Sequence, residues 1–225
     1  MCGRIAFEAS EEELTSAYAA EIGEDCIGKP VKKDIRITDE AWVITADEPD
    51  RLQQMHFGLV AWNAPTCMMT GSTFNAKKEN LLTSPLWSRL MLAHKRCIII
   101  TSGFTEPQKI DKDRTKHWMF RLKEREVFSM AGLWSEWRDK KDGTTYRSFA
   151  IITDVANEQV AEVHQKNRMP VALTKEQESL WLSKTLPVMQ DYIEVLTVMP
   201  DEDMNRDQTH KPGANDDESQ LNLFD

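Results

Sequence analysis

Cys2 is the residue whose type and position offer the most distinctive chemistry in this chain. Methionine aminopeptidases remove an initiator Met when the next residue is small, so the mature chain is expected to begin at Cys2. An N-terminal cysteine carries an α-amine (reference pKa about 7.7–8.0) and a thiol (about 8.5) on adjacent carbons. The amine condenses with an aldehyde to a Schiff base, and the thiol then closes a five-membered thiazolidine ring. Gly3, with no Cβ, admits another group close to the backbone. Read for packing alone, Cys2 is instead a small apolar side chain near the start of a chain. The other cysteines, Cys26, Cys67 and Cys97, share no C-x-x-C spacing and have no histidine at a metal-ligand interval. They lead us to expect neither a metal site nor a disulfide framework, and no cofactor is implied.

The elements that must position Cys2 are legible in outline. A short segment around Ile5, Ala6 and Phe7 runs into Ser10 and Glu13, a capping box, after which Leu14, Tyr18 and Ile22 recur at helical spacing. Residues 29–40 read as loop, residues 41–46 and 54–60 as strands, and the Pro/Gly/Thr-rich stretch 63–72 as a long surface loop. Residues 79–92 read as a helix interrupted at Pro85, and residues 96–104, with three consecutive Ile, as a buried strand ended by Gly103. Further strands are expected at 117–122, 127–134 and 146–153, a helix after the Thr174/Gln177 capping box, and a last strand at 195–199. Strands in series with a few separate helices describe an α+β domain with largely antiparallel sheets. It spans residues 1–200; residues 201–225 form an acidic, disordered tail.

Composition narrows the function classes. The chain has 225 residues, 28 Lys+Arg against 37 Asp+Glu, and seven Trp. That length suits one core, and so many indoles argue against disorder. No apolar run is long enough for a membrane helix and no signal peptide precedes the domain, so a cytoplasmic protein is expected. The net charge of −9 is uneven: residues 201–225 hold eight acids and two bases, leaving −3 on the body. A nearly neutral body can carry a local basic groove.

Four segments occur in order: M-C-G-R at 1–4, F-N-A at 74–76, G-F-T-E at 103–106 and H-Q-K-N-R-M-P-V at 164–171. Together they resemble the SRAP (SOS response-associated peptidase) family of YedK-type abasic-site processing proteins, over residues 1 to about 200. The resemblance implies a barrel-like core of antiparallel sheets with flanking helices. It also implies that Cys2 is a nucleophile that crosslinks to the ring-opened aldehyde of an abasic site in single-stranded DNA. Asn75 then matches the residue that orients the N-terminal amine, and Glu106 and His164 match the catalytic acid–base groups. A carboxyl to shuttle protons and an imidazole to help open the deoxyribose fit this chemistry. Arg4, Lys77, Arg168 and Trp62 are the expected DNA contacts. Associated lyase activity, a peptidase role reduced to exposing Cys2, no metal or organic cofactor, and a monomer are implied as well.

The chain also departs from the family pattern. Lys77 replaces an Arg and so lacks its planar fork. Pro107 stands where a Trp would stack on a base, an interaction worth about 1–3 kcal/mol. Three residues separate His164 from Arg168 where one is usual, and Trp62 comes one position early. Two other classes compete. One is a non-catalytic adaptor for DNA or for the sliding clamp. The other is an N-terminal-Cys glutamine amidotransferase, whose usual Ile after M-C-G, R-G-P-D segment and G-N-G element are absent. Near the end of the chain, Gln220, Leu221, Leu223 and Phe224 read Q-L-x-L-F, resembling the peptide that binds the bacterial sliding clamp. A polar tether before it would raise its effective concentration, placing the protein at the nucleoid and the replication fork.

Overall fold

A computed structural model describes residues 2–69 and 71–209. Gln220, Leu221, Leu223 and Phe224 lie outside the described residues. The strands in chain order are β1 (Arg4–Ala6), β2 (Glu21–Ile22), β3 (Asp34–Arg36), β4 (Glu40–Thr45), β5 (Arg51–Phe57), β6 (Asn75–Lys77) and β7 (Arg96–Thr101). They continue with β8 (Gly103–Lys109), β9 (Thr115–Leu122), β10 (Phe128–Arg138), β11 (Thr145–Val155), β12 (Arg168–Pro170), β13 (Ala172–Leu173) and β14 (Met204–Thr209). The helices are α1 (Glu11–Tyr18), α2 (Pro85–Leu92), α3 (Glu158–Ala161), α4 (Lys175–Leu182) and α5 (Met189–Val195). None is long and apolar enough to cross a membrane.

Five strands close on themselves. β4 pairs with β5 and β7, β10 pairs with β7 and β11, all antiparallel, and β5 completes the ring by running parallel to β11 at His56–Ser148 and Phe57–Phe149. This is the expected barrel. Its inside and outside are both covered, so Ile98, Ile99 and Ile100 are all buried and β7 reads as a continuous apolar run without alternation. Gly132 is required where the ring is tightest: a Cβ there would meet Ile99 Cδ1 at 2.3 Å and the Ala150 carbonyl at 2.8 Å. A second sheet, in the order β14-β9-β8-β1-β3, packs beside the barrel. Both predicted capping boxes form, at Ser10/Glu13 of α1 and Thr174/Gln177 of α4.

Several expectations change, among them the 29–40 loop, which carries β3, and Ile22, which lies in β2 beyond the end of α1. The 96–104 strand breaks at Ser102, because Thr101 turns its hydroxyl onto the Ala6 carbonyl (2.8 Å) and the chain leaves the barrel to start β8 in the other sheet. Pro85 does not interrupt a helix but begins one at its first position, where its missing N–H costs nothing. Residues 195–199 are not a strand; α5 ends at Val195, and Leu196 and Met199 are buried from an irregular segment. The tail does not start at 201. Met204–Thr209 pairs along β9 with Met204 buried, although M-N-R-D-Q-T holds only one apolar residue.

Candidate active site

Cys2 is fully buried, and its Sγ donates to the Arg4 carbonyl at 3.6 Å. The strand that follows it, β1, lies between β3 and β8. Gly3 packs against two side chains: a Cβ there would stand 3.4 Å from Ile37 Cδ1 and 3.9 Å from Phe74 Cε2. Phe74 immediately precedes Asn75, so this contact brings the F-N-A segment against the start of the chain.

Asn75 opens β6, which runs parallel to β11 with Asn75 opposite Ile151. The side chain is buried, and neither its Oδ1 nor its Nδ2 has a hydrogen-bond partner among the described residues. Buried amides are nearly always satisfied, so one with both ends unmatched is suited to a polar group that arrives from outside.

Glu106 lies on β8, two residues beyond the Ile5–Phe104 pair that joins β8 to β1. Its side chain is 1% exposed, and burial pushes its carboxyl up to about 7. Burial raises the Cys2 thiol far above its ordinary value, and the nearby Glu106 charge adds to that. A thiolate is therefore not present in advance. On β9 the residue opposite Glu106 is Trp118, half-buried, so the ring beside the carboxylate comes from the neighbouring strand, while Pro107 is exposed.

His164 follows α3, its N–H bonded to the Val160 carbonyl. Its Nε2 stands 3.6 Å from Glu106 Oε2. Burial lowers the imidazole to about 4, so it is neutral at pH 7 and the contact is not an ion pair there. The Arg168 backbone N–H donates to His164 Nδ1 at 3.3 Å, which leaves the ring proton on Nε2, facing Glu106. The longer 165–167 spacer makes this possible by turning through Asn167 at φ 50°, a left-handed conformation Asn tolerates.

The expected DNA contacts divide. Arg4 donates from Nε to Asp34 Oδ1 at 2.5 Å, while its buried Nη1 has no partner among the described residues. Lys77 is exposed at the end of β6, whereas Lys78 turns inward to Asp154 at 3.1 Å. Arg168 is not offered to a phosphate. It forms a bidentate pair with Glu79 (2.8 and 2.9 Å) and donates to the Thr153 carbonyl at 2.5 Å, so its fork is occupied inside the protein. Hydrogen bonds and charge from Arg168 outweigh partial burial and hold the Glu79 carboxyl below its ordinary value. The Trp62 ring is already covered by the Arg89 guanidinium, 4.6 Å from its centroid.

Sequence reasoning missed Glu79, Thr153, Trp118 and Arg206. Glu79 had a signal, four residues after Asn75 in N-A-K-K-E; the others had none, being set by strand register. Among the described residues no cluster of His, Cys, Asp or Glu is arranged to hold a metal ion, and all four cysteines are free thiols.

Comparisons with known proteins bear on this arrangement. The family model described as SOS response associated peptidase (SRAP) matches residues 1–211. The abasic site processing protein YoqW of Bacillus subtilis is 32% identical over 141 residues, covering 63% of this chain and 61% of YoqW. YobE of the same organism, also an abasic site processing protein, is 31% identical over 163 residues, covering 72% of this chain and 71% of YobE. The chain thus aligns with about six-tenths to seven-tenths of the length of these relatives. A crystal structure of a Bacteroides thetaiotaomicron protein superposes with a TM-score of 0.84 at 22% identity, covering 93% of this chain and 92% of that one, which establishes a shared fold.

Proposed function

The chain belongs to the SOS response associated peptidase (SRAP) family, and on that footing we propose that it traps abasic sites in single-stranded DNA as a thiazolidine on Cys2. The role in DNA abasic-site processing comes from the relatives' names. The observation that carries the finer reading is the packing of Gly3, next to Cys2, against Phe74, the residue before Asn75, together with the closeness of the Cys2 thiol to the Glu106 charge, with His164 3.6 Å from that carboxylate.

The chemistry follows from those groups. The Cys2 amine adds to the aldehyde carbon of the opened deoxyribose to give a carbinolamine. Loss of water forms the imine, and the Sγ adds to the imine carbon while the thiol proton ends on nitrogen. One water is released and nothing is oxidised. Because the thiol is held protonated, the amine attacks first and the sulfur needs a base for the second bond. A carboxyl titrating near 7 suits both halves: protonated Glu106 donates to the departing hydroxyl, and ionised Glu106 accepts the thiol proton. His164, neutral and carrying its proton on Nε2, suits a hydrogen bond to the sugar ring oxygen as that oxygen gains the proton lost from the C1′ hydroxyl and the aldehyde is released. Hydrolysis of the imine by the same groups would release the intact abasic site, whereas transfer of the C2′ proton of the imine to a base with expulsion of the 3′ phosphate would give lyase activity. The unmatched Asn75 amide holds the amine or the ring nitrogen, and Arg4 and Lys77 contact phosphates. The 220–224 peptide adds recruitment by the sliding clamp at replication forks.

The test is incubation with a single-stranded oligonucleotide bearing one abasic site, followed by denaturing electrophoresis and intact mass. The adduct mass should equal protein without Met1 plus DNA minus one water. Cys2→Ala should leave no heat-stable adduct; an adduct of wild-type yield would overturn the assignment. A 216–225 peptide should bind bacterial sliding clamp and lose binding with Leu223→Ala and Phe224→Ala.

A further inference from the structure

Glu106 and His164 are carried by different parts of the fold. Glu106 sits in the five-stranded sheet, His164 in the connection from β11 to β12, and no strand pairing joins the two sheets among the described residues. Something else must fix their separation.

The segment after α5 spans that gap. At the α3 end, the Met199 carbonyl accepts from Asn157 Nδ2 (3.0 Å). The Asp201 carboxylate accepts the backbone N–H groups of Glu158 (3.2 Å) and Gln159 (2.8 Å), and Gln159 Nε2 returns to the Asp201 carbonyl (2.7 Å). These bonds grip the single turn whose last residues lead into His164. At the sheet end, β14 pairs along the whole of Trp118–Leu122, and β9 in turn pairs with β8 beside Glu106. Arg206 joins the two ends. Its Nη1 donates to the Gln159 carbonyl (3.0 Å) and to Glu162 Oε2 (2.7 Å), while its guanidinium lies over the Trp118 ring, 5.0 Å from the centroid. Trp118 is the cross-strand partner of Glu106. A second link runs parallel: Trp118 Nε1 donates to Gln108 Oε1 (2.8 Å), and Gln108 Nε2 donates to the Glu162 carbonyl (3.1 Å).

We propose that Asp201 and Arg206 are positioning residues, and that the C-terminal segment sets the distance and angle at which His164 presents Nε2 to Glu106. Neither residue touches DNA or the reacting atoms. The proposal rests on the reading of Glu106 and His164 as the acid–base pair. Stability does not account for Arg206, because its acidic partner Glu162 is 65% exposed and a pair so placed contributes little. Its position does, since one guanidinium contacts the strand beside Glu106 and the helix before His164. A brace of this kind acts on rate more than on binding, because small misplacements of acid–base groups fall on the transition state.

The experiment has two arms, on the full chain. In the first, long-range proton–nitrogen NMR at pH 7 records the His164 ring nitrogens, assigned with His164→Gln, in wild type, Arg206→Ala, Asp201→Ala and Arg206→Lys. Wild type should give one Nε2-protonated tautomer; the two alanine variants should shift or broaden those signals, and Arg206→Lys should recover most of the change. Unmoved His164 signals in both folded alanine variants would overturn the proposal. In the second arm, single-turnover crosslinking to abasic single-stranded DNA should slow about tenfold or more in each alanine variant, with the half-saturating DNA concentration within about twofold. Equal changes in both parameters would make the segment a binding element and overturn the positioning role. If wild type forms no crosslink, the functional reading fails while the first arm still decides the brace.

Discussion

The Cys2–Arg4 side of the site and the 164–168 turn each bring in a buried guanidinium, and they use it in different ways. Arg168 commits both terminal nitrogens to Glu79 and Thr153, leaves its buried Nε without a partner among the described residues, and lends its backbone N–H to His164. Arg4 satisfies one nitrogen with Asp34 and keeps a buried Nη1 without a partner, as Asn75 keeps both ends of its amide. Each unmatched buried polar group costs about 1–3 kcal/mol. The Arg168 side, with two of its three guanidinium nitrogens taken up, is the more nearly complete, and the Cys2–Arg4 side, with Arg4 Nη1 and both ends of the Asn75 amide unmatched, offers more to an incoming polar group. The lesson is that a cation matching a DNA-binding motif in sequence need not face DNA; its partners decide.

The largest expected effect tests the junction of the two sides. Glu106→Gln should slow crosslinking by roughly 10²–10⁴-fold in single-turnover assays while leaving affinity for abasic DNA within a few-fold. The same variant has a stability signature. Glu106 is raised to about 7 from 4.5, so the folded state holds the proton more tightly and wild-type stability falls as pH rises from about 4.5 to 7. Glu106→Gln removes that loss and should be more stable than wild type above pH 7, by about 3 kcal/mol. His164, lowered to about 4 from 6.5, works in the opposite sense: it contributes stability above about pH 6.5 that is lost on acidification towards pH 4. Wild type should thus vary little between pH 4.5 and 6.5, and the variant should gain stability with pH there. Chemical denaturation at pH 4, 5.5 and 8 checks both slopes.

Next in size is the contrast between the arginines. Arg168→Ala should cost about 2 kcal/mol of stability, seen in a denaturation midpoint, because it breaks a bidentate pair and a backbone contact at once. Arg4→Ala should cost about 1 kcal/mol or less, yet weaken DNA binding and lower the salt-dependence slope by about 1. If Arg168→Ala were the one to change the salt slope, the division drawn here would be wrong. The smallest effect should come from Lys77→Ala: unchanged stability and a slope lower by up to about 1, measured by fluorescence anisotropy against salt.

Much of this was legible in the sequence, for reasons that also explain what was not. The capping boxes at Ser10 and Thr174 are local chemistry and form as read. The Ile98–Ile100 run signals a strand buried on both faces, which the barrel supplies. Pro85 carries no mark that says whether it ends a helix or begins one. Residues 204–209 carry a single apolar side chain, Met204, and so no strand pattern; their pairing is set by β9, more than 80 positions earlier. At the site, the motifs singled out Cys2, Asn75, Glu106 and His164, and the fold brings Glu106 and His164 within 3.6 Å of one another. The roles of Arg168 and Trp62 were not legible, since Glu79 and Arg89, which occupy them, are fixed by tertiary packing.

The complete burial of Cys2 has a consequence in time. On the proposed reading, removal of Met1 would be favoured while β1 lacks its neighbours, and β8, the later of them, is made about a hundred residues after it. At roughly 5–20 residues per second, that interval lasts about 5–20 s. On that reading trimming would fall to the ribosome-bound nascent chain, and a molecule that folded first would keep its methionine and lack the free Cys2 amine. The proportion of trimmed protein would then be set by a race during synthesis, and overexpression that outruns the aminopeptidase should yield a mixture of masses.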